Sequence, residues 1–271
     1  MSSSATPSFA DLGVPHELIA VLKARDITTP TPIQAATLLD SLAGRDVLGR
    51  GRTGSGKTYA FLLPLVARLS ESGRPRRAGK PRALILAPTR ELVGQIEQAL
   101  IPLAATAGLT TRTVFGGVGQ HPQVQGLRRG VDIVVACPGR LEDLIQQGHC
   151  DLGAVEVTVL DEADHMADLG FLPAVRRLLA ATPKSGQRLL FSATLDRGVN
   201  VLVKQFLQQP VTHEADSAQS PVSEMDHHVL HLSREQRVPV LVDLTSAPGR
   251  TVIIFGRATD SQLQRLASSL H

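Results

Sequence analysis

Residues 46–58 read Asp46-Val47-Leu48-Gly49-Arg50-Gly51-Arg52-Thr53-Gly54-Ser55-Gly56-Lys57-Thr58, and this stretch decides the fold. From Gly51 to Thr58 it matches the phosphate-binding pattern G-x-x-x-x-G-K-[ST] at every fixed position. A strand-like Asp46–Leu48 precedes it and a helical pattern, Tyr59–Ser70, follows, which is the context the pattern requires. The chemistry explains the residue types. Glycines let backbone N–H groups wrap phosphate oxygens, and a helix N-terminus favours negative charge. Lys57 offers a mobile cation, and Thr58 offers a hydroxyl to Mg²⁺.

Outward from this loop, short aliphatic runs alternate with amphipathic stretches. Strands are expected at Asp46–Leu48, Ala83–Ala87, Thr111–Phe115, Asp132–Ala136, Val155–Leu160 and Arg188–Phe191. Helices are expected at Tyr59–Ser70, Arg90–Ala107, Gly139–Gln147 and Leu172–Ala181. Strands without polar alternation, separated by helices, predict a parallel sheet covered on both faces, a doubly wound α/β domain. Residues 210–225 are polar and poor in bulky side chains and read as a linker. The alternation restarts at His227–Leu232 and continues through Arg234–Leu244, Thr251–Phe255 and Ser261–Leu270. The 46 residues from 226 to 271 are too few for another such domain, so the chain is expected to stop inside a second one.

Composition narrows the function classes. Of 271 residues 42% are hydrophobic and 20% charged, an ordinary globular balance that excludes wholesale disorder. The longest apolar run, Phe61–Leu69, is interrupted by Pro64 and Arg68 and is too short to span a membrane. Met1–Gly13 lacks the pattern of a signal peptide, and two cysteines, Cys137 and Cys150, make neither a disulfide framework nor a four-ligand zinc site. A reducing, cytoplasmic setting and a monomer are the expectation. The net charge of +3 permits a polyanionic partner without demanding one. With no Trp, one Tyr and seven Phe, a nucleic-acid site should grip the backbone rather than stack bases. The basic stretch Gly73–Arg82 reads as a solvated surface loop, with a nucleic-acid role as the alternative. His227, His228 and His231 are read as ordinary strand residues rather than a metal site.

The next chemistry-bearing stretch is Asp161-Glu162-Ala163-Asp164, directly after an apolar strand. Carboxylates at the C-terminal end of a parallel strand lie in the crevice where such sheets bind ligands. Taken alone, three acids in four residues also fit a solvated helix start. The phosphate loop upstream favours the first reading, in which one acid helps hold Mg²⁺ and another orients or deprotonates water.

A phosphate loop, the literal string D-E-A-D and then Ser192-Ala193-Thr194 after another strand resemble the DEAD-box RNA helicases. Further motifs follow in the family's order. Phe9 and Pro30-Thr31-Pro32-Ile33-Gln34 resemble the adenine-reading Q motif, and Pro88-Thr89-Arg90-Glu91-Leu92 resembles motif Ia. Gly116-Gly117 resembles the glycine doublet, Cys137-Pro138-Gly139-Arg140 motif Ib, and Val252–Phe255 the start of motif IV. The resemblance implies a RecA-like ATP-binding domain at 36–209 preceded by a Q-motif region at 1–35, with the linker at 210–225 and an incomplete second RecA-like domain at 226–271. It implies RNA-stimulated hydrolysis of ATP, with Mg²⁺, coupled to RNA unwinding or remodelling.

The resemblance also assigns roles. Gln34 would read adenine, with Ile27 packed beside it, and Thr53, Gly54, Ser55, Gly56, Lys57 and Thr58 would bind the triphosphate. Thr58 and Asp161 would hold Mg²⁺, and Lys57, Asp161 and Glu162 would carry the catalysis. Asp164, Ser192 and Thr194 would couple hydrolysis to strand separation. Pro88, Thr89, Arg90, Gly116, Gly117, Pro138, Gly139 and Arg140 would contact the RNA backbone with little sequence specificity. Without the family, Gln34 is a surface amide, Ser192-Ala193-Thr194 a strand-end turn, and each glycine a tight turn.

Several positions depart from the family pattern. Asp26-Ile27 stands where a glycine and an aromatic are usual, Cys137 replaces a threonine, and Arg52 replaces a glutamine. No H-R-x-G-R-x-x-R pattern occurs in the sequence, and the arginine it carries in the family reaches the γ-phosphate. Such an arginine is worth roughly 10³–10⁵ in rate, so weak activity of this chain alone is expected. The alternative reading is a non-catalytic, nucleotide-dependent RNA clamp.

Overall fold

Aliphatic strands with no polar face need apolar cover on both sides, and the computed structural model supplies it. It describes residues 7–215 together with Ser233, Glu235, Gln236, Pro239 and Val240. Seven strands form one sheet: β1 (Val47–Arg50), β2 (Ala83–Leu86), β3 (Thr111–Val114), β4 (Ile133–Ala136), β5 (Val157–Leu160), β6 (Gln187–Ser192) and β7 (Val211–Glu214). Their order is β3-β4-β2-β5-β6-β1-β7, and every pairing is parallel.

Successive side chains of each strand enter different cores, as the twofold period of a strand requires. Val47, Ile85, Val135, Val159 and Phe191 face one core, filled by α1 (His16–Lys23), α2 (Pro32–Leu42), α3 (Lys57–Ser72) and α4 (Arg90–Thr106). Leu48, Leu84, Val134, Leu160 and Leu190 face the other. That core is filled by α5 (His121–Arg129), α6 (Pro138–Gln146), α7 (Ala163–Asp168), α8 (Leu172–Ala180) and α9 (Arg197–Phe206). Each fully buried Leu, Ile or Phe contributes about 1.5–3 kcal/mol. Gly49 is required by this packing, because the Phe191 ring of β6 occupies the space a Cβ there would take.

Two features differ from the sequence reading. Val211–Glu214, placed at the head of the linker, instead pairs with β1 along its whole length. As an edge strand it is only half-buried, so its alternating Val, Thr, His and Glu read as linker composition. His213 Nε2 lies 2.7 Å from Asp40 Oδ2 of α2, which ties the strand down. The stretch 73–82 is exposed up to Ala78, but Arg82 at its end is buried. Its guanidinium donates to Glu156 Oε1 at 2.8 Å and to the Leu69 carbonyl at 2.6 Å, and lies 3.6 Å from Asp132 Oδ1. Asp132 also accepts from Arg76 at 2.9 Å and from the Thr110 amide at 2.9 Å. This ion cluster lies at the N-terminal ends of β2, β4 and β5.

The chain divides into two compact units, Met1–Ser220 and Pro221–His271. In the second, the Ser233 amide donates to Gln236 Oε1 at 3.1 Å and the Val240 amide to the Gln236 carbonyl at 3.1 Å. The strands and helices expected between His227 and Leu270, the three histidines and Val252–Phe255 lie outside the described residues, apart from the positions named. Among the described residues no helix is long and apolar enough to cross a membrane.

Candidate functional site

The C-terminal ends of β5, β6 and β1 lie side by side and bring three separate motifs together. After β1 the chain turns through Gly54 and Gly56, at φ +82° and +93°, into the first turn of α3. The Gly51 amide donates to the Ser192 carbonyl at 3.1 Å, which fixes the root of the loop to β6. Lys57 is 6% exposed, and its ammonium donates to the Gly51 carbonyl at 2.9 Å, inside the ring of the loop. Ser55 Oγ is buried and has no hydrogen-bond partner among the described residues. A loop of backbone donors around a desolvated ammonium and a spare hydroxyl fits a polyphosphate.

Gln34 is 2% exposed and does more than the sequence suggested. Its Oε1 accepts from the Thr31 amide at 3.0 Å, and its Nε2 donates to the Gly56 carbonyl at 2.8 Å. The amide therefore staples the start of α2 to the phosphate loop. Close approach requires glycine at 56, since a Cβ would stand 2.6 Å from Thr31 Oγ1 and 2.8 Å from Gln34 Nε2. One N–H and one lone pair of the amide remain for another group. Ile27 is half-buried and packs onto the first core, just after Asp26 at φ +59°. That left-handed conformation is where glycine is most at ease.

At the end of β5 the Asp161 amide donates to the Leu86 carbonyl at 2.9 Å, and its side chain is buried at 3% exposure. Burial pushes its carboxyl up to about 7; Lys57 opposes the shift, while Glu162 and Asp164 add to it. Buried and within reach of the charges on Lys57, Glu162 and Asp164, the Asp161 carboxylate suits one ligand position of a divalent cation, while among the described residues no three His, Cys, Asp or Glu side chains group as a metal site by themselves. Glu162 adopts φ +51° at the start of α7. Its carboxylate accepts from Thr53 Oγ1 at 3.4 Å and lies 3.4 Å from His165 Nδ1. Asp164 Oδ2 accepts from both the amide and the hydroxyl of Thr194 at 2.9 Å, and its own amide donates to Ser192 Oγ at 3.2 Å. Burial works against the Asp164 charge, but the bonds with Ser192 and Thr194 outweigh it and hold its carboxyl below the ordinary range.

The C-terminal ends of β2, β4 and β3 carry the second group. Pro88 is buried, and Thr89 caps α4 by accepting from the Leu92 amide at 3.2 Å, so its hydroxyl is already engaged. Arg90 is exposed, with its guanidinium 5.2 Å from the centre of the Phe115 ring. Gly117, at φ +75°, lies against the same guanidinium, while Gly116 has open space in front of its Cα. Arg140 donates to the Val118 carbonyl at 3.1 Å. Pro138 and Gly139 open α6, where Cys137 supplies no side-chain cap. Burial pushes the Cys137 thiol up to about 11, helped by Glu91 and opposed by Arg90. Of the residues expected to face RNA, Arg90 and Gly117 are exposed and Thr89, Gly116, Gly139 and Arg140 half-exposed at these strand ends, whereas Pro88 and Pro138 are buried.

A residue the sequence did not single out positions this surface. Gln123 of α5 is buried; its Nε2 donates to the Phe115 carbonyl at 3.0 Å and its Oε1 accepts from the Phe115 amide at 3.1 Å. This clamp fixes the chain immediately before the glycine doublet.

A parallel sheet whose first strand runs through a glycine loop into a helix, with acids at a neighbouring strand end, defines a phosphate-loop nucleotide-binding domain of the RecA-like kind. Residues 31–202 match the family model described as DEAD/DEAH box helicase. The chain belongs to that family. It is 41% identical over 257 residues to the chloroplastic DEAD-box ATP-dependent RNA helicase 3A of Zea mays, covering 92% of this chain and 34% of that protein. It is 38% identical over 268 residues to the ATP-dependent RNA helicase RhlB of Pseudomonas syringae pv. tomato, covering 97% of this chain and 67% of that protein.

Proposed function

We propose that the chain binds ATP and single-stranded RNA on one sheet edge and hydrolyses ATP to ADP and phosphate to separate or remodel RNA strands. The observation that carries this reading is the division of that edge: phosphate loop, acids and Asp164 turn over β5, β6 and β1; guanidiniums and glycines over β2, β4 and β3. β2 and β5 are neighbours, so the two halves adjoin. The relatives' names point to the same activity.

Backbone N–H groups from Thr53 to Thr58 would hold the phosphates, and Lys57 would exchange its Gly51 partner for a phosphate oxygen. Thr58 and Asp161 would hold Mg²⁺, which when bound neutralises developing charge on the phosphates. Glu162, held by Thr53 and beside His165, would orient the attacking water and take its proton, a role worth roughly 10²–10⁴ in rate. Gln34 would offer its remaining donor and acceptor to the adenine edge, in the manner of amide recognition of adenine elsewhere. Asp164 with Ser192 and Thr194 would transmit nucleotide state to the RNA side. Arg90, Arg140 and the amides at the starts of α4 and α6 would grip phosphates, so binding should be blind to sequence. A cytoplasmic setting fits this chemistry.

A second reading for the chain acting alone is an RNA clamp that responds to nucleotide but turns over slowly. Steady-state ATP hydrolysis with and without single-stranded RNA, with Glu162→Gln as the blank, tests both. RNA-stimulated turnover absent from the variant supports the enzyme; nucleotide-dependent RNA binding with no turnover above the blank supports the clamp.

A further inference from the structure

The mild net charge of +3 conceals one concentrated patch. On the N-terminal edge of the sheet, the loop 73–82 exposes Arg74, Arg76, Arg77 and Lys80. The loop is fixed against the last turn of α5. Its Gly79 amide donates to the Leu127 carbonyl at 2.9 Å, and the space before Gly130 is filled by Arg76 Cγ at 3.2 Å and the Arg77 carbonyl at 3.3 Å. α5 ends there in Arg128 and Arg129, both exposed. Arg76 pairs with Asp132 at 2.9 Å, Arg74 with Glu156 at 3.7 Å and Lys80 with Asp151 at 3.0 Å. Among the described residues, Arg77, Arg128 and Arg129 have no carboxylate at ion-pair distance. Arg74, Arg77, Lys80 and Arg82 also line a concavity of about 350 Å³.

Geometry connects this patch to the face carrying Arg90 and Arg140. β3 is an edge strand, and α5 starts just beyond the Gly116-Gly117 loop and ends at the patch. Between the two, Thr111, Arg112 and Thr113 of β3 are half-exposed, although Arg112 Nε itself is buried against Gly126 of α5. The nine residues of α5 span about 13 Å, the rise of roughly four nucleotides in a stacked strand. Among the described residues, none of the exposed large hydrophobic side chains, Leu39, Ile101, Val118, Leu169 and Val201, lies in the patch. A protein partner would want an apolar centre there; a phosphate chain would not.

We propose that loop 73–82 with Arg128 and Arg129 is a second RNA-backbone contact, which holds a strand running from the Arg90–Arg140 face around the β3 edge. The proposal rests on the RNA reading of that face. It makes RNA longer than the first site bind more tightly and with a steeper salt dependence.

The test compares six- and twenty-nucleotide single-stranded RNA binding to the full chain, by fluorescence anisotropy from 50 to 200 mM salt with ATP and Mg²⁺. The wild-type slope of log affinity on log salt should be steeper for the long RNA by about 2, at about 0.7 per phosphate for three guanidiniums. Arg77→Gln/Arg128→Gln/Arg129→Gln should erase that difference, a loss of roughly 15-fold in the long-RNA advantage between the two salts, and leave the short RNA unchanged. Arg90→Ala should weaken both lengths alike. A slope difference that survives the triple substitution overturns the second contact while leaving the first intact. Long RNA held only through the triple site, with no short-RNA binding, keeps the patch and overturns the Arg90–Arg140 reading. Polyglutamate bound at the patch with RNA indifferent to the triple substitution assigns it to an acidic protein and overturns the proposal, as does a wild type that binds neither RNA.

Discussion

Gln34→Met separates two roles for one amide. The substitution keeps nearly the same volume and removes both the bond to the Thr31 amide at 3.0 Å and the bond to the Gly56 carbonyl at 2.8 Å. At about 1 kcal/mol for each bond, the phosphate loop loses roughly 2 kcal/mol of support for the conformation it holds. Borne by phosphate binding, that is about a 30-fold loss of affinity. Isothermal titration with ATP and with inorganic tripolyphosphate, both with Mg²⁺, distinguishes the cases because tripolyphosphate has no base. A staple makes both ligands fall by a similar factor. Gln34→Glu should lose at least as much, since it keeps the acceptor for Thr31 but sets a carboxylate oxygen against the Gly56 carbonyl. Unchanged tripolyphosphate affinity in Gln34→Met, with ATP weakened, would refute the staple and leave Gln34 as a reader of adenine alone.

Three other perturbations have defined outcomes. Arg82→Ala strips a buried carboxylate, Glu156, of its closest partner and should cost about 3–5 kcal/mol, seen as a lower urea midpoint at unchanged slope; ATP affinity in the folded protein should stay put, because the cluster lies at the other edge of the sheet. Asp26→Gly relieves a left-handed, exposed aspartate and should raise stability by about 0.5–1 kcal/mol, measurable as a Tm increase of a few degrees. For Asp164 the folded carboxyl sits below its ordinary value, so its contribution is present above that value and lost as pH falls through the lowered one; Thr194→Ala should move the acid limb of a pH-denaturation curve towards neutral, and an unmoved limb would count against those hydrogen bonds.

What could be read from the chain was what chemistry ties to fixed local spacing. Gly51 to Thr58 and Asp161 to Asp164 are short and sit where strands end, so their residue types betray them. The aliphatic runs announced a sheet buried on both faces for the same reason. Less legible were elements whose logic is tertiary. α5 has only Val124 and Leu127 as buried apolar residues around Gly126, so it carries little helical signal, and with it Gln123 went unnoticed. Arg82 looked like part of a solvated charge run because its partner Glu156 lies 74 residues away in sequence. Val211–Glu214 passed for a linker because half of an edge strand faces water. Gln34 was read as a ligand contact, and its second duty appears only when Gly56 is seen beside it.

The sheet order has a consequence for how the protein is made. β1, which leads into the phosphate loop, leaves the ribosome before β2 to β7, yet the strands it pairs with, β6 and β7, come last among the described strands. Val47 must wait for Leu189 and Val211 before either side of its backbone is paired. At 5–20 residues per second that delay is roughly 10–30 s, during which Val47 and Leu48 have no sheet to join. The nucleotide pocket therefore cannot close until β6 has been made and pairs with β1.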